Sequence, residues 1–323
     1  MEEVDKMSHR LRTCGAAAVL LLLLTLLSSC GQPTVPDETA TDYNQYIPSH
    51  GVTAYTKDLY IFFDSGRLFY VGRSQPSQLF PLCFQADCDH KNSSCTAWLN
   101  TPSRSIYAAG DNLYYIDADK DAKPALYRMD LSGGGRELVK SLNILNEESW
   151  PGISSLGYSF RVYGSYLAIE LNLLQEDSWQ HKIYLTGIDS KDEGVFLFGE
   201  EGDSDKSYIA IEFRENWLFV TEKNAADGTN TLWGYNFTTQ EAVPLVEGWD
   251  ISNCFTVQDG ILYWAVTGDG VYSMDMEKKS VTKHRSFDPV LEYGAAAYDD
   301  QYLYLTNAIR YMDSQGTVPA EER

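Results

Sequence analysis

The chain has 323 residues, 44% of them hydrophobic and 13% aromatic, and its 46 acidic against 25 basic side chains leave a formal net charge of −21. That apolar and aromatic content can fill a packed core and rules out a disordered chain. A surface so acidic repels phosphates and anionic headgroups, which excludes nucleic acid as a partner.

Lys6, Arg10 and Arg12 are offset by Glu2, Glu3 and Asp5, so the residues after the leader carry the whole acidic balance. Basic residues precede an apolar run from Ala16 to Leu27, broken only by Thr25. The run has the length of a secretory leader core and is too short for a bilayer-spanning helix. Leu27-Ser28-Ser29-Cys30-Gly31 follows, a Leu three residues before a Cys with small residues between. This resembles the lipobox of bacterial lipoproteins. The resemblance implies cleavage before Cys30, acyl chains on its sulfur, and a protein held at the outer face of the cell membrane. The alternatives are an uncleaved anchor or a plain secretory leader with a chance Cys. Met7 opens a cleaner leader than the acidic stretch at Met1, and either is read as a start. The expected organisation is a leader over 1–29, lipidated Cys30 and a tether over 30–50, and one domain over 51–323. The tether is rich in Pro, Thr and Asp, as in Gln32-Pro33-Thr34-Val35-Pro36-Asp37, and lacks apolar periodicity.

From there a turn–strand–loop–strand unit recurs. Lys57-Asp58-Leu59-Tyr60 opens the first copy and Asp111-Asn112-Leu113-Tyr114 the cleanest one; others lie at Leu167, Leu218, Leu262 and Leu303. A period of about 40–50 residues built from strands marks a β-propeller blade. The expected class is therefore all-β, a propeller of six blades, with seven blades or an incomplete ring as alternatives. In the first unit Leu59 to Phe63 and Leu68 to Val71 read as strands joined by the hairpin turn Asp64-Ser65-Gly66.

The next stretch, Leu82 to Cys95, has the spacing C-x4-C-x-H-x4-C. Cys83, Cys88, His90 and Cys95 together offer three thiolates and an imidazole, the ligand set of a tetrahedral Cys3His zinc site. One alternative follows from an oxidising compartment, in which two of these thiols pair and the third can reach Cys254; another is that the thiols stay free. His90 is then an ordinary surface residue. The segment also resembles a Cys-rich passage, L-C-x4-C-x-H-x4-C, in uncharacterised lipoproteins of Gram-positive gut bacteria; Leu82, Cys83, Cys88, His90 and Cys95 match it. In those proteins the passage precedes a propeller of unknown function related to TolB-like propellers. The resemblance implies that fold and an extracellular location, and brings no activity.

In the second unit, Leu126 to Leu131 leads through Ser132-Gly133-Gly134-Gly135 to Glu137-Leu138-Val139. No Lys or Ser/Thr follows as a phosphate loop requires, so the glycines are expected in a tight turn. Asp117-Ala118-Asp119-Lys120-Asp121 imitates a calcium loop, but Ala122 and Arg128 stand where Gly and Glu are needed. A solvated hairpin tip is the expectation. Later units pair Tyr166 to Leu171 with Lys182 to Leu185 and then Val195 to Phe198, Leu218 to Thr221 with Thr231 to Tyr235 and then Val243 to Val246, and Leu262 to Val266 with Gly270 to Met274. Trp179, Phe196, Trp217, Trp233, Trp249 and Trp264 recur in or beside strands and are expected to fill the wedges between blades. Ala295 to Tyr298, Leu303 to Thr306 and Ile309 to Met312 form the last unit. A strand near Val318, or Tyr43 to Ile47, is expected to close the ring.

Function follows from what these units display. No nucleophile elbow, zincin helix or Walker loop is present, which favours a binding or scaffolding module for a protein or glycan over an enzyme. The alternatives are a glycan hydrolase or lyase with carboxylates meeting in the channel, and a metal-binding module at the Cys/His cluster.

Overall fold

A computed structural model describes residues 53–100, 105–176, 178–191, 193–199, 205–248, 255–266, 269–286, 293–298 and 303–307. The chain divides into two compact units, Met1–Thr34 and Val35–Arg323; every described residue belongs to the second. Cys30, Tyr43 to Ile47, Trp249, Cys254, Ile309 to Met312 and Val318 lie outside the described residues.

The domain is a β-propeller. Its strands form consecutive antiparallel meanders, each in simple chain order. The first blade holds β1 (Thr53–Tyr55), β2 (Leu59–Asp64), β3 (Arg67–Gly72) and β4 (Gln75–Pro81); the second holds β5 (Ile106–Ala109), β6 (Asn112–Ala118), β7 (Pro124–Asp130) and β8 (Glu137–Ser141). The third comprises β9 (Ile153–Tyr163), β10 (Tyr166–Gln175), β11 (Ser178–Gly187) and β12 (Val195–Phe198). The fourth comprises β13 (Lys206–Arg214), β14 (Trp217–Asn224), β15 (Asn230–Asn236) and β16 (Glu241–Glu247). The fifth comprises β17 (Phe255–Gln258), β18 (Ile261–Val266), β19 (Gly270–Asp275) and β20 (Ser280–Ser286). A sixth sheet pairs β21 (Tyr293–Tyr298) with β22 (Leu303–Asn307). The first strands of successive blades are neighbours: β1 lies by β5, β5 by β9, β9 by β13, and β17 by β21. These are the axial strands, and the fourth strand of each blade is the rim.

Side-chain alternation explains the stacking. In β6, Leu113 and Tyr115 pack with Ile61, Leu68 and Ala54 of the first blade, whereas Tyr114 and Ile116 pack with Phe160, Leu167 and Ile169 of the third. In β10 and β11, Ala168, Ile183 and Leu185 turn the other way and meet Phe213, Leu218 and Val220 of the fourth. Phe219 then faces Phe255, Leu262 and Trp264 of the fifth. β6 is thus covered on both faces, so its apolar residues run on without a polar alternate. Rim strands have no such cover: β4 is exposed along nearly its whole length. Proline sits at this rim, as Pro244 does at the register shift of β15 on β16, because an outermost strand can spare a donor.

The turns are as expected. Ser65 and Gly66 both have positive φ, 48° and 83°, as a two-residue type I′ hairpin requires. Asp119 is occupied by its own loop, its Oδ1 accepting from the backbone N–H groups of Asp121 and Lys123 at 2.8 and 2.9 Å. That is an Asx-type hairpin tip. The aromatic expectation holds only in part. Trp264 is fully buried and stacks on Tyr272 at 5.7 Å, and Trp217 and Trp233 pack against seam cores. Trp179 and Phe196 are 49% and 42% exposed; Phe196 lies on the rim strand β12 and Trp179 at the hairpin end of β10 and β11.

Candidate metal centre

The segment between β4 and β5 has little regular structure, yet it is fastened to two blades. On the first blade, Leu82 donates to the Leu68 carbonyl at 2.9 Å, Leu68 to Ala97 at 2.8 Å and Leu99 to Gly66 at 3.0 Å. Arg67 and Trp98 form an antiparallel bridge. On the second blade, Arg136 donates to the Trp98 carbonyl at 2.9 Å and to Asp117 Oδ2 at 2.5 Å. Asn100 adds its backbone N–H to the same carboxylate at 3.1 Å. The Asp117 side chain has no solvent exposure, and Arg136 lies over the Tyr115 and Tyr127 rings at 5.6 and 4.9 Å. Leu82, Cys95, Ala97 and Leu99 belong to the core between the two blades.

The glycine-rich turn after β7 is part of this fastening. A Cβ on Gly133, at φ 85°, would lie 2.6 Å from the Leu82 carbonyl oxygen and 2.7 Å from the Cys83 nitrogen. Only glycine permits both the left-handed backbone and so close an approach. The turn is therefore the floor on which the Cys segment rests.

Within the segment, Cys83, Cys88, His90 and Cys95 converge, and their ligand atoms all lie within 4.8 Å of one another. His90 sits at φ 55°, an unusual backbone for a residue other than glycine. Its N–H points at Cys88 Sγ at 3.4 Å, and its Nδ1 lies 3.4 Å from Cys95 Sγ. The Arg67 guanidinium donates to the His90 carbonyl at 3.3 Å. Cys95 is buried, while Cys83 and Cys88 are half-buried. All three are free thiols.

The sulfurs differ in proton affinity. Burial raises the Cys83 thiol, but donors around it, Thr96 first and then the Gln85 backbone, outweigh burial and bring it down to about 6. Burial pushes Cys95 up to about 12; the Ala97 backbone opposes this, and the neighbouring Cys88 and Cys83 sulfurs add to it. One sulfur is thus a ready thiolate at neutral pH. A bound divalent ion would draw the proton from Cys95, because the thiolate is the ligating form.

The structure brings together all four residues singled out by spacing. The groups that hold them (Arg67, Asp117, Arg136 and Gly133) were not recognised in the sequence. The run of three glycines was read as a tight turn, and nothing in it marked an approach to Leu82 and Cys83.

The sequence matches no protein-family profile and no curated protein. Among solved structures, the chain is similar to an oligogalacturonate lyase in complex with manganese, at 14% identity and a TM-score of 0.44, over 73% of this chain and 64% of the lyase. It is similar to a putative TolB from Agrobacterium tumefaciens at 12% identity and a TM-score of 0.38, over 80% and 76% of the two chains. A prolyl endopeptidase gives 11% identity and a TM-score of 0.49, over 84% of this chain and 42% of the enzyme. The chain spans less than two thirds of the lyase and less than half of the endopeptidase. At such scores these likenesses assign neither an activity nor a ligand.

Proposed function

We propose that this chain is a propeller binding or scaffolding module, held at the outer face of a membrane through acylated Cys30. In this reading one zinc ion on Cys83, Cys88, His90 and Cys95 closes the segment between its first two blades. The observation that carries the metal reading is the convergence of four ligand atoms within 4.8 Å. Tetrahedral zinc with three sulfurs and one nitrogen spaces its ligands about 3.5–3.8 Å apart. His90 Nδ1 and Cys95 Sγ, at 3.4 Å, already stand near that spacing.

A disulfide would use two sulfurs and give no reason for the third, or for an imidazole turned towards Cys95. A zinc ion uses all four groups. It also supplies cohesion where the chain has least of its own: thirteen residues of loop become a closed ring anchored on two blades. Cys3His with all four positions filled is a structural site, because no position is left for water or substrate.

The test is metal content and thiol count on the mature chain in detergent. The reading expects one zinc per chain, and Cys83, Cys88 and Cys95 reacting with a thiol reagent only after a chelator is added. Cys88→Ser and His90→Ala should each release the metal. A chain without zinc, with two of the three thiols joined, would overturn it.

A further inference from the structure

A second group of chemically capable side chains lies on β9, β10 and β13, away from the Cys/His cluster. Arg161 on β9 is its hub. The guanidinium lies 5.9 Å from the Tyr107 ring on β5 of the second blade. Its charge also acts on Glu170 of its own blade and on Glu212 of β13 in the fourth. Arg161 lies on β9, the axial strand of the third blade, whose neighbours are β5 and β13.

What Arg161 does with its donors is unusual. Among the described residues it makes one hydrogen bond, from Nη1 to the neighbouring Phe160 carbonyl at 3.0 Å, and no ion pair. Four N–H groups of a half-buried guanidinium remain unused. The carboxylates around it are also loosely held. Glu170 accepts only long bonds, from Ser159 Oγ and Asn172 Nδ2, each at 3.4 Å. Glu212 pairs with Arg214 at 2.8 Å, leaving its second oxygen uncommitted to Arg161. Asn172 Oδ1 is buried without a partner, and so is Nδ1 of His181, directly across the β10–β11 pair from Asn172. Burial raises the proton affinity of both Glu170 and Glu212 despite the nearby guanidinium. Unspent donors, underused carboxylates and orphaned buried acceptors within one patch leave hydrogen-bonding capacity that a polar ligand would fill.

We infer that Arg161, Glu170, Asn172 and Glu212 form a binding site for a small organic carboxylate that carries a hydrogen-bond donor beside its carboxyl group. The ligand's carboxylate takes the free edge of the Arg161 guanidinium, which matches its geometry in two parallel bonds. Its adjacent hydroxyl or ammonium group donates to Glu170 or Glu212. A phosphate suits the site poorly, since two carboxylates flank the arginine and a dianion offers them no donor. The site names a ligand class for the binding module and does not involve the metal, so failure of either leaves the other standing.

Glycolate, glycine and acetate are the probes, followed by saturation-transfer NMR on the mature chain at about 10 mM, above the ~1 mM dissociation constant expected of so small a ligand. Glycolate or glycine should bind, the preferred one telling hydroxyl from ammonium, with acetate about tenfold weaker. Arg161→Met should abolish the signal. Should that variant not fold, Arg161→Lys keeps the charge but loses the fork and should weaken binding about tenfold. No binding by glycolate or glycine, equal binding by acetate, or binding unchanged in a folded Arg161 variant would each overturn the inference.

Discussion

At the scale of single residues, the cohesion of the Cys/His loop depends on an absent side chain as much as on the four side chains proposed as ligands. Gly133→Ala places a methyl group against the Leu82 carbonyl in a left-handed backbone. It should cost roughly 1–3 kcal/mol in urea denaturation, by the strain of that conformation alone. Glu170 makes a prediction of opposite sign. Its carboxyl is raised above the ordinary 4.5, burial being the main cause, with Asn172, Arg161 and Ser159 opposing. A group bound to its proton more tightly when folded stabilises the fold below its unfolded value, and that contribution is lost as pH rises through the folded one. Glu170→Gln should therefore melt higher than the native chain at pH 7, and the gain should vanish as pH falls below about 4.5. An equal shift at both pH values would assign the effect to packing and not to charge.

At the scale of elements, the second strand of each blade was the most legible part of the chain, for a physical reason. Strands such as Leu113-Tyr114-Tyr115-Ile116 are covered on both faces and read as continuous apolar runs, and the turn before each adds Asp, Asn or Gly. Among the axial strands only β21 was legible, as Ala295 to Tyr298. β1 and β17 are too short for an alternation to register, and β9 and β13 mix Ser, Glu and Arg into their apolar pattern where they line the channel. Rim strands β4 and β20 were missed because a strand with no buried face has no hydrophobic period. The Cys/His spacing was legible as a ligand set, whereas the latch of Asp117 and Arg136 was not, since it joins residues far apart in sequence. That latch carries an element-level prediction. Asp117→Ala leaves a partly buried guanidinium facing two rings and one carbonyl, and should cost roughly 3–5 kcal/mol. Differential scanning calorimetry with and without chelator reads it. The loss should be present in both states, because the latch and the metal hold opposite ends of the segment.

At the scale of the whole molecule, the propeller presents an acidic surface, a net charge of −21, next to a membrane to which it is proposed to be tethered. Such a surface does not adhere to anionic headgroups, and so retention at the membrane would fall to the acyl chains. Cys30→Ser should accordingly shift the protein from the membrane fraction to the medium, and mass spectrometry of the native chain should find a diacylglyceryl-modified Cys30 as its first residue. A membrane-bound serine variant would contradict the anchor. The proposed metal centre ties the scales together: four side chains converge in one loop, and the loop is fastened to the first two blades.

X-ray absorption at the zinc edge of the purified mature chain examines that joint most directly. The account predicts a first shell of three sulfurs at about 2.3 Å and one nitrogen at about 2.0–2.1 Å, with one sulfur lost in Cys88→Ser. A shell of oxygen and nitrogen alone, or a chain without zinc whose loop is closed by a disulfide, would contradict it.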